Sequence, residues 1–389
     1  MEPAFVIGSK IIGKLKQAGY EAYFVGGAVR DVLLHRPIHD VDITTSASVE
    51  IIEHLFKTTV PLGRDHGTVV VCLEDHSFEV TTYRSGHEKA ISLLDDLQKR
   101  DFTMNAIAMT EDWTVVDPFH FRSDLDRKLI CAVGNGMDRF TEDPLRMLRA
   151  CRFSSQLNFQ IETNTLQSIV QCRGQIENVA VERIVSEFEK LLTATFFTLG
   201  LNYLLKTGLA SYISIFENKE EVLKNLVALK LDRLQSVEEV WTAFLFVDRN
   251  ESDHMMFLKC LRKSKKILAY VHLLYIGLKR YKTEGFSNKL IYDLGLDNSL
   301  KLRRLIYVLI HSDPLHSEQE LYSRYAELPI KSRHDLKING HTLIQVFHKK
   351  QGPWINELLE KVEQAVLALE VQNDHREILA WLNEREGFK

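Results

Sequence analysis

The 389-residue chain is 45% hydrophobic and 26% charged, the balance of an ordinary globular protein with enough sequence for roughly two to four domains. A formal net charge of −4 excludes coating nucleic acid by bulk electrostatics, though not binding it through local patches. Cysteines 72, 131, 151, 172 and 260 show no CxxC or disulfide-like spacing, and no signal pattern or apolar run of membrane-spanning length occurs. A cytoplasmic protein that neither leaves the cell nor crosses a membrane is expected.

In chain order, residues 7–19 place apolar side chains at 7, 11, 12 and 15 ahead of Gly19, which predicts an amphipathic helix. Tyr23-Phe24-Val25 reads as a short strand that breaks at Gly26-Gly27, and residues 28–34 read as a helical turn. Glycines before a helix N-terminus let backbone N–H groups approach an anion, and Arg30 adds a fixed positive charge. In Asp40-Val41-Asp42-Ile43 the strand period of two sends both carboxylates to one face and both apolar side chains to the other. Paired hard oxygen ligands suit a Mg²⁺ that also binds phosphate. A plain turn and a solvated strand end carry the same patterns singly. Combined in one strand-turn-helix-strand unit, they point to phosphoryl or nucleotidyl transfer.

Residues 49–56 predict a second helix, and the β-branched run 67–73 a buried strand. Residues 77–83 alternate again, with Glu79 the lone carboxylate on a strand expected beside that of Asp40 and Asp42. An edge-strand surface glutamate is the alternative. Within residues 142–153, Asp143, Arg146, Arg149 and Arg152 recur every three positions, so a helix would carry them as one polar stripe while Leu145, Leu148 and Phe153 face a core. No proline occurs between Pro144 and Pro314, and helical periodicity recurs, as in residues 181–192. The turn-rich His311-Ser312-Asp313-Pro314 and Leu328-Pro329 introduce a last unit. Basic runs at 259–266 and 331–350 are either solvated faces or phosphate contacts.

GGAVRD followed by DVD resembles the nucleotidyltransferase head of the bacterial class II tRNA CCA-adding and poly(A) polymerase family. RDFTMNA at 100–106, EDPLR at 142–146 and ERIVSE at 182–187 are similar to further family segments. The resemblance spans nearly the whole chain, being close in the head and template segment and weaker in the body. It implies an α+β fold: a polymerase β-like mixed-sheet head (1–138), then an all-α neck (139–195), body (196–312) and tail (313–389). It implies that Asp40, Asp42 and Glu79 hold two Mg²⁺ and that Gly26, Gly27 and Arg30 hold the triphosphate. Arg100, Asp101 and Asn105 would line the ribose, although Asp101 could equally cap a helix. Asp143 and Arg146 would read the edge of cytosine or adenine, with Arg149 and Arg152 touching triphosphate or holding Asp143. The partners implied are tRNA, docked by its 3′ end and acceptor/T arm, with CTP and optionally ATP.

Two departures from the family pattern narrow the expectation. The pair of glycines that usually follows DPF is replaced by His120 and Phe121. Between Tyr83 and Arg100 there is no RRP element, and no proline occurs between Pro61 and Pro118. In this family shortened loops mark CC-adding enzymes, so the expectation is addition of two C residues, with the terminal A left to a separate A-adding enzyme. A full CCA-adding enzyme, a poly(A) polymerase and a non-catalytic tRNA-binding protein are the alternatives.

Overall fold

The computed structural model describes residues 3–38, 40–63, 67–83, 92–310 and 317–386. The shortened loop (84–91) and the turn at 311–314 therefore lie outside the described residues. The chain divides into two compact units, 1–220 and 221–389.

The first unit is built on the period-two segments. Their alternating apolar side chains need a second layer, and helix α1 (Pro3–Gln17) supplies it with buried Phe5, Ile11, Ile12 and Leu15. Strands β1 (Ala22–Val25), β2 (Asp42–Thr45), β3 (Thr59–Gly63), β4 (Thr68–Leu73), β5 (His76–Thr82), β6 (Ala108–Met109) and β7 (Val115–Val116) form one sheet, ordered β3-β4-β5-β2-β1-β6-β7. The β2–β5 pair is parallel and the other pairs antiparallel, so the sheet is mixed, as expected. Phe24, Ile43 and Phe78 are fully or nearly fully buried on the sheet's core face. The register sets Asp42 opposite Val25 on one side and opposite Glu79 on the other.

Short helices α2 (Gly27–Leu33), α3 (Val49–Leu55), α4 (Leu93–Gln98) and α5 (Arg122–Asp126) decorate the sheet. Before α5, Asp117 accepts from the backbone N–H groups of Phe121 and Arg122, both at 2.9 Å. That turn holds His120 at φ 59°, a left-handed conformation that glycine adopts most readily. Phe119 and Phe121 pack on a buried cluster that includes Val25, Tyr83 and Leu97.

Helices α6 (Gly136–Glu142), α7 (Leu145–Leu157), α8 (Thr163–Cys172), α9 (Val181–Leu192) and α10 (Phe197–Lys206) complete this unit. The central one is α7, which packs on α9 and α10 through a face that includes buried Leu148, Cys151 and Phe153. The expectation that Asp143 rides on the same helix as the three arginines is corrected. Pro144 disfavours helical backbone at the residue before it, so Asp143 is extended (φ −146°, ψ 98°) and α7 starts at Leu145. Asp143 instead accepts from the Leu145 N–H at 3.2 Å.

The described elements of the second unit are helical. They include α11 (Glu220–Val227), α12 (Val237–Val247), α13 (His254–Cys260), α14 (Lys265–Glu284) and α15 (Asn288–Ile310). They continue with α16 (Glu318–Glu327), α17 (Gly340–Phe347), α18 (Trp354–Leu367) and α19 (His375–Glu386). Helix α15 kinks at Gly295, whose φ of 70° is open to glycine. Fully buried Trp241 and Phe244 anchor the apolar interior, and fully buried Glu239 is held by Arg304 at 2.6 Å. No described helix is long and apolar enough to cross a membrane.

Candidate active site

All thirteen residues singled out from the sequence line one cavity of about 950 Å³ in the first unit. Gly26, Gly27, Arg30, Asp40, Asp42 and Glu79 come from the sheet edge and α2. Arg100, Asp101 and Asn105 follow α4, and Asp143, Arg146, Arg149 and Arg152 come from the start and inner face of α7.

At the acidic end, β1 terminates at Val25 and the chain turns through Gly26 at φ 73°. The backbone angle calls for glycine, and a Cβ on Gly26 would lie 2.9 Å from Asp42 Oδ2, displacing that carboxylate. Asp42 opens β2, whereas Asp40 precedes the strand, because β1 offers no ladder partner beyond Val25. Asp40 and Glu79 are exposed and Asp42 is half-buried. Among the described residues no group of three or more His, Cys, Asp or Glu side chains is gathered closely enough to hold a metal ion. Glu79 is thus a sheet neighbour of Asp42, not part of a closed three-carboxylate cage. The donor set still fits Mg²⁺, which binds through one or two carboxylates and completes its shell with water and phosphate oxygens.

The arginine end is a continuous network of ion pairs and hydrogen bonds. Arg30 donates from Nε and Nη2 to Asp31 at 3.0 and 2.9 Å, and from Nη1 to Asn105 Oδ1 at 2.9 Å. Asn105 donates to Asp101 Oδ1 at 3.0 Å, and Arg149 donates to Asp101 Oδ2 at 2.6 and 3.0 Å. Arg149 also lies 3.7 Å from Glu187, which accepts from Arg152 Nε at 2.5 Å. Burial alone would raise the Asp101 pKa. The Arg149 charge, hydrogen bonds from Asn105 and Arg149, and the nearby Arg146 charge outweigh it and hold the carboxyl well below its usual range. Burial pulls Arg152 down to about 10, with Glu187 opposing, so it stays charged at neutral pH.

Arg30 pairs with Asp31 and Asn105. One expectation is corrected: Arg149 and Arg152 hold Asp101 and Glu187 instead of Asp143. The group that holds Asp143 is Arg183 of α9, which donates to its Oδ2 at 2.9 Å. Arg146 donates to Glu142 Oε2 at 3.2 Å and to the Lys99 carbonyl at 3.1 Å. Sequence reasoning missed Arg183 as a site residue. It also placed Phe153 only in the core, yet the guanidinium carbons of Arg152, Arg30 and Arg149 lie 3.8, 5.3 and 5.3 Å from its ring centre. Glu187 was legible only as part of a bracing helix. Its signal is an acid on the buried face of an amphipathic helix, which needs a cation.

A mixed sheet presenting carboxylates beside a glycine turn, with a helical arginine wall opposite, defines a nucleotidyltransferase of the polymerase β class. Residues 22–131 match the family model described as "Poly A polymerase head domain". Residues 158–215 match "Probable RNA and SrmB- binding site of polymerase A", and residues 232–382 match "tRNA nucleotidyltransferase domain 2 putative". The CCA-adding enzyme of Geobacillus kaustophilus (strain HTA426) is 39% identical over 99% of this chain and 98% of its own length. That of Bacillus cereus (strain AH820) is 38% identical over 97% of each. The crystal structure of the Bacillus stearothermophilus CCA-adding enzyme in complex with CTP superposes with a TM-score of 0.93 at 39% identity, over 100% of this chain and 98% of that one. The chain belongs to the class II CCA-adding tRNA nucleotidyltransferase family, and it is an enzyme of that class. Heads of this type generally work with a divalent metal ion.

Proposed function

We propose that this chain rebuilds the 3′ end of tRNA without a nucleic-acid template, taking C and then A from CTP and ATP and releasing pyrophosphate. The observation that carries the reading is the single cavity that joins the Asp40–Asp42 edge to the Asp143–Arg146 wall. Full-length relatives named CCA-adding enzymes support complete CCA addition over poly(A) synthesis or a non-catalytic binding role.

In this reading Asp40 and Asp42, with Glu79 beside them, hold Mg²⁺. When bound, Mg²⁺ would lower the pKa of the primer 3′-hydroxyl and neutralise charge on the leaving pyrophosphate. Asp143 accepts from the exocyclic amino group of cytosine or adenine, and Arg146 donates to the neighbouring ring acceptor. Among the described residues each carboxylate oxygen of Asp143 has one protein donor, Leu145 N–H or Arg183, and so keeps room for another. Uracil and guanine turn a carbonyl oxygen toward Asp143, leaving a polar group unpaired at a cost of roughly 1–3 kcal/mol. Asp101 and Asn105 face the ribose, and Gly26 and Gly27 leave room for phosphate.

The four-part division into head, neck, body and tail is our assignment, with the basic run 331–350 of the tail taking tRNA phosphates at the acceptor/T arm. Five free cysteines support a reducing cytoplasm. A second reading, addition of CC only with a separate A-adding partner, is favoured by the missing RRP element between Tyr83 and Arg100. Purified protein given tRNA without its CCA end, together with CTP and ATP, decides between them. Growth by three nucleotides with A last is expected. Growth that stops at two supports the second reading, and no growth overturns both.

A further inference from the structure

Residues 336–356 carry Lys337, His341, His348, Lys349 and Lys350 and no acidic side chain. These five basic side chains are all exposed. The stretch runs through α17, the turn at 348–353 and the start of α18, and it sets one large ring among them. That ring is Trp354, which is half-buried, whereas Trp241 of the same unit is wholly inside the core.

The indole is held on several sides. Pro353 takes helical backbone (φ −56°, ψ −29°) just ahead of α18, which fixes where Trp354 leaves the helix. Its Nε1 donates to the Lys350 carbonyl at 2.8 Å across the turn. Phe347, at the end of α17, meets it at 90° with ring centres 6.3 Å apart. Gly352 approaches so closely that a Cβ there would lie 3.2 Å from Trp354 Cδ1. The ring's one polar atom is thus already bonded, and what remains to offer a ligand is a π-face. Lys349 Nζ lies over that ring, 5.9 Å from its centre.

We propose that Trp354 stacks an unpaired base of tRNA, with Lys349 and Lys350 beside it taking the flanking phosphates. The proposal rests on the reading of the chain as a tRNA enzyme, and it adds to phosphate docking at the tail a contact that phosphate cannot make. A ring set among exposed lysines matches both parts of a nucleotide: the cations suit the backbone and the π-face suits the base. An acidic peptide would match the lysines alone. A duplex keeps its bases stacked on one another, so the base in question is one that the tRNA fold leaves unpaired. Because the indole is held before RNA arrives, little ordering is left for binding. Lys349 covers the ring in the free protein and exchanges it for a phosphate when a base takes its place.

The test measures equilibrium binding of the full-length protein to tRNA lacking its CCA end and to a blunt RNA duplex, across a salt series. Wild type, Trp354→Phe and Trp354→Leu are compared, with indole fluorescence and thermal melts of each. Trp354→Leu should weaken tRNA binding about tenfold, the loss of one base–aromatic stack, with duplex affinity unchanged. The slope of log affinity against log salt should stay the same, because no cation is removed. Trp354→Phe keeps a stacking face and should keep most of the affinity, while the fluorescence quenching that tRNA causes in the wild type should be lost with the indole. Should Trp354→Leu not fold, quenching in the wild type and its loss in Trp354→Phe carry the test. Unchanged tRNA affinity in Trp354→Leu, equal weakening of tRNA and duplex, or undiminished quenching in Trp354→Phe would overturn the proposal. So would a shallower salt slope in Trp354→Leu, which would make the ring a support for Lys349 and not a platform for a base. Tight tRNA binding without nucleotide addition by the wild-type protein would count against the proposed function instead, since binding reads the stack alone.

Discussion

The two ends of the cavity are built on opposite plans. At the acidic end Asp40 and Glu79 stand exposed and Asp42 half-buried at a strand terminus. At the arginine end Arg146, Arg149 and Arg152 lie on one helix, each held by at least one carboxylate: Arg146 by Glu142, and Arg149 and Arg152 within a network running from Asp31 to Glu187. Chemistry on a phosphate needs ligand positions that stay open until metal and substrate arrive. Reading a base edge needs donors and acceptors whose directions do not relax toward the wrong base. On the proposed function the contrast separates turnover from choice, and each end should then be breakable without the other.

The largest expected effect lies at the acidic end. Asp40→Ala or Asp42→Ala should lower single-turnover incorporation by about 10³-fold or more, as expected for several kcal/mol of lost metal-borne stabilisation. Binding of tRNA, followed by filter retention, should change less than about twofold, well under 1 kcal/mol. Undiminished incorporation in either variant would remove these carboxylates from the chemistry.

Breaking the brace behind the arginine wall comes next. Glu187→Ala strips Arg152 of its carboxylate partner at a site where both are buried. Chemical denaturation should show a loss of about 3 kcal/mol. A loss below about 0.5 kcal/mol would show that the wall stands without it.

Arg146→Ala should reduce the preference for CTP over UTP by roughly 1–3 kcal/mol, or about 5- to 150-fold, with the KM for the tRNA primer unchanged. A variant that discriminates as well as its parent would move base reading to another group.

The smallest effect is the pH dependence at Asp101. Its pKa is depressed in the folded protein, so its contribution to stability is fully present above the unfolded value near 4. It is lost progressively as pH falls below that value toward the folded one. Denaturation midpoints between pH 6 and about 2 should fall less steeply in Arg149→Met than in the wild type. Parallel curves would mean that Arg149 does not set the Asp101 titration.

How much of this was legible in the sequence follows from the same physics. Period-two alternation was enough to set Glu79 on a strand and on a solvent-facing position, because a half-buried sheet fixes which face is apolar, while its place beside Asp42 rests on the pairing of β2 with β5. The spacing of three also put the arginines on a common helical face. Asp143 was misplaced because the stripe was extended through Pro144, although the effect of proline on the preceding residue was there to be read. The partners of the arginines were not legible, since Asp101 and Glu187 are 48 and 35 residues distant from them in the chain. Asp96 was closer to hand, four residues before Arg100 on a helical period. In the second unit many amphipathic helices carry similar patterns, and composition alone does not say which faces meet.

The separation of turnover from choice is tested most directly by binding CTP and UTP to Asp40→Ala, a variant expected to be inactive. The account predicts that this protein still prefers CTP over UTP by the same factor as the wild type, because Asp143 and Arg146 are untouched. A preference lost together with turnover would contradict it, and would make base choice a property of the acidic end.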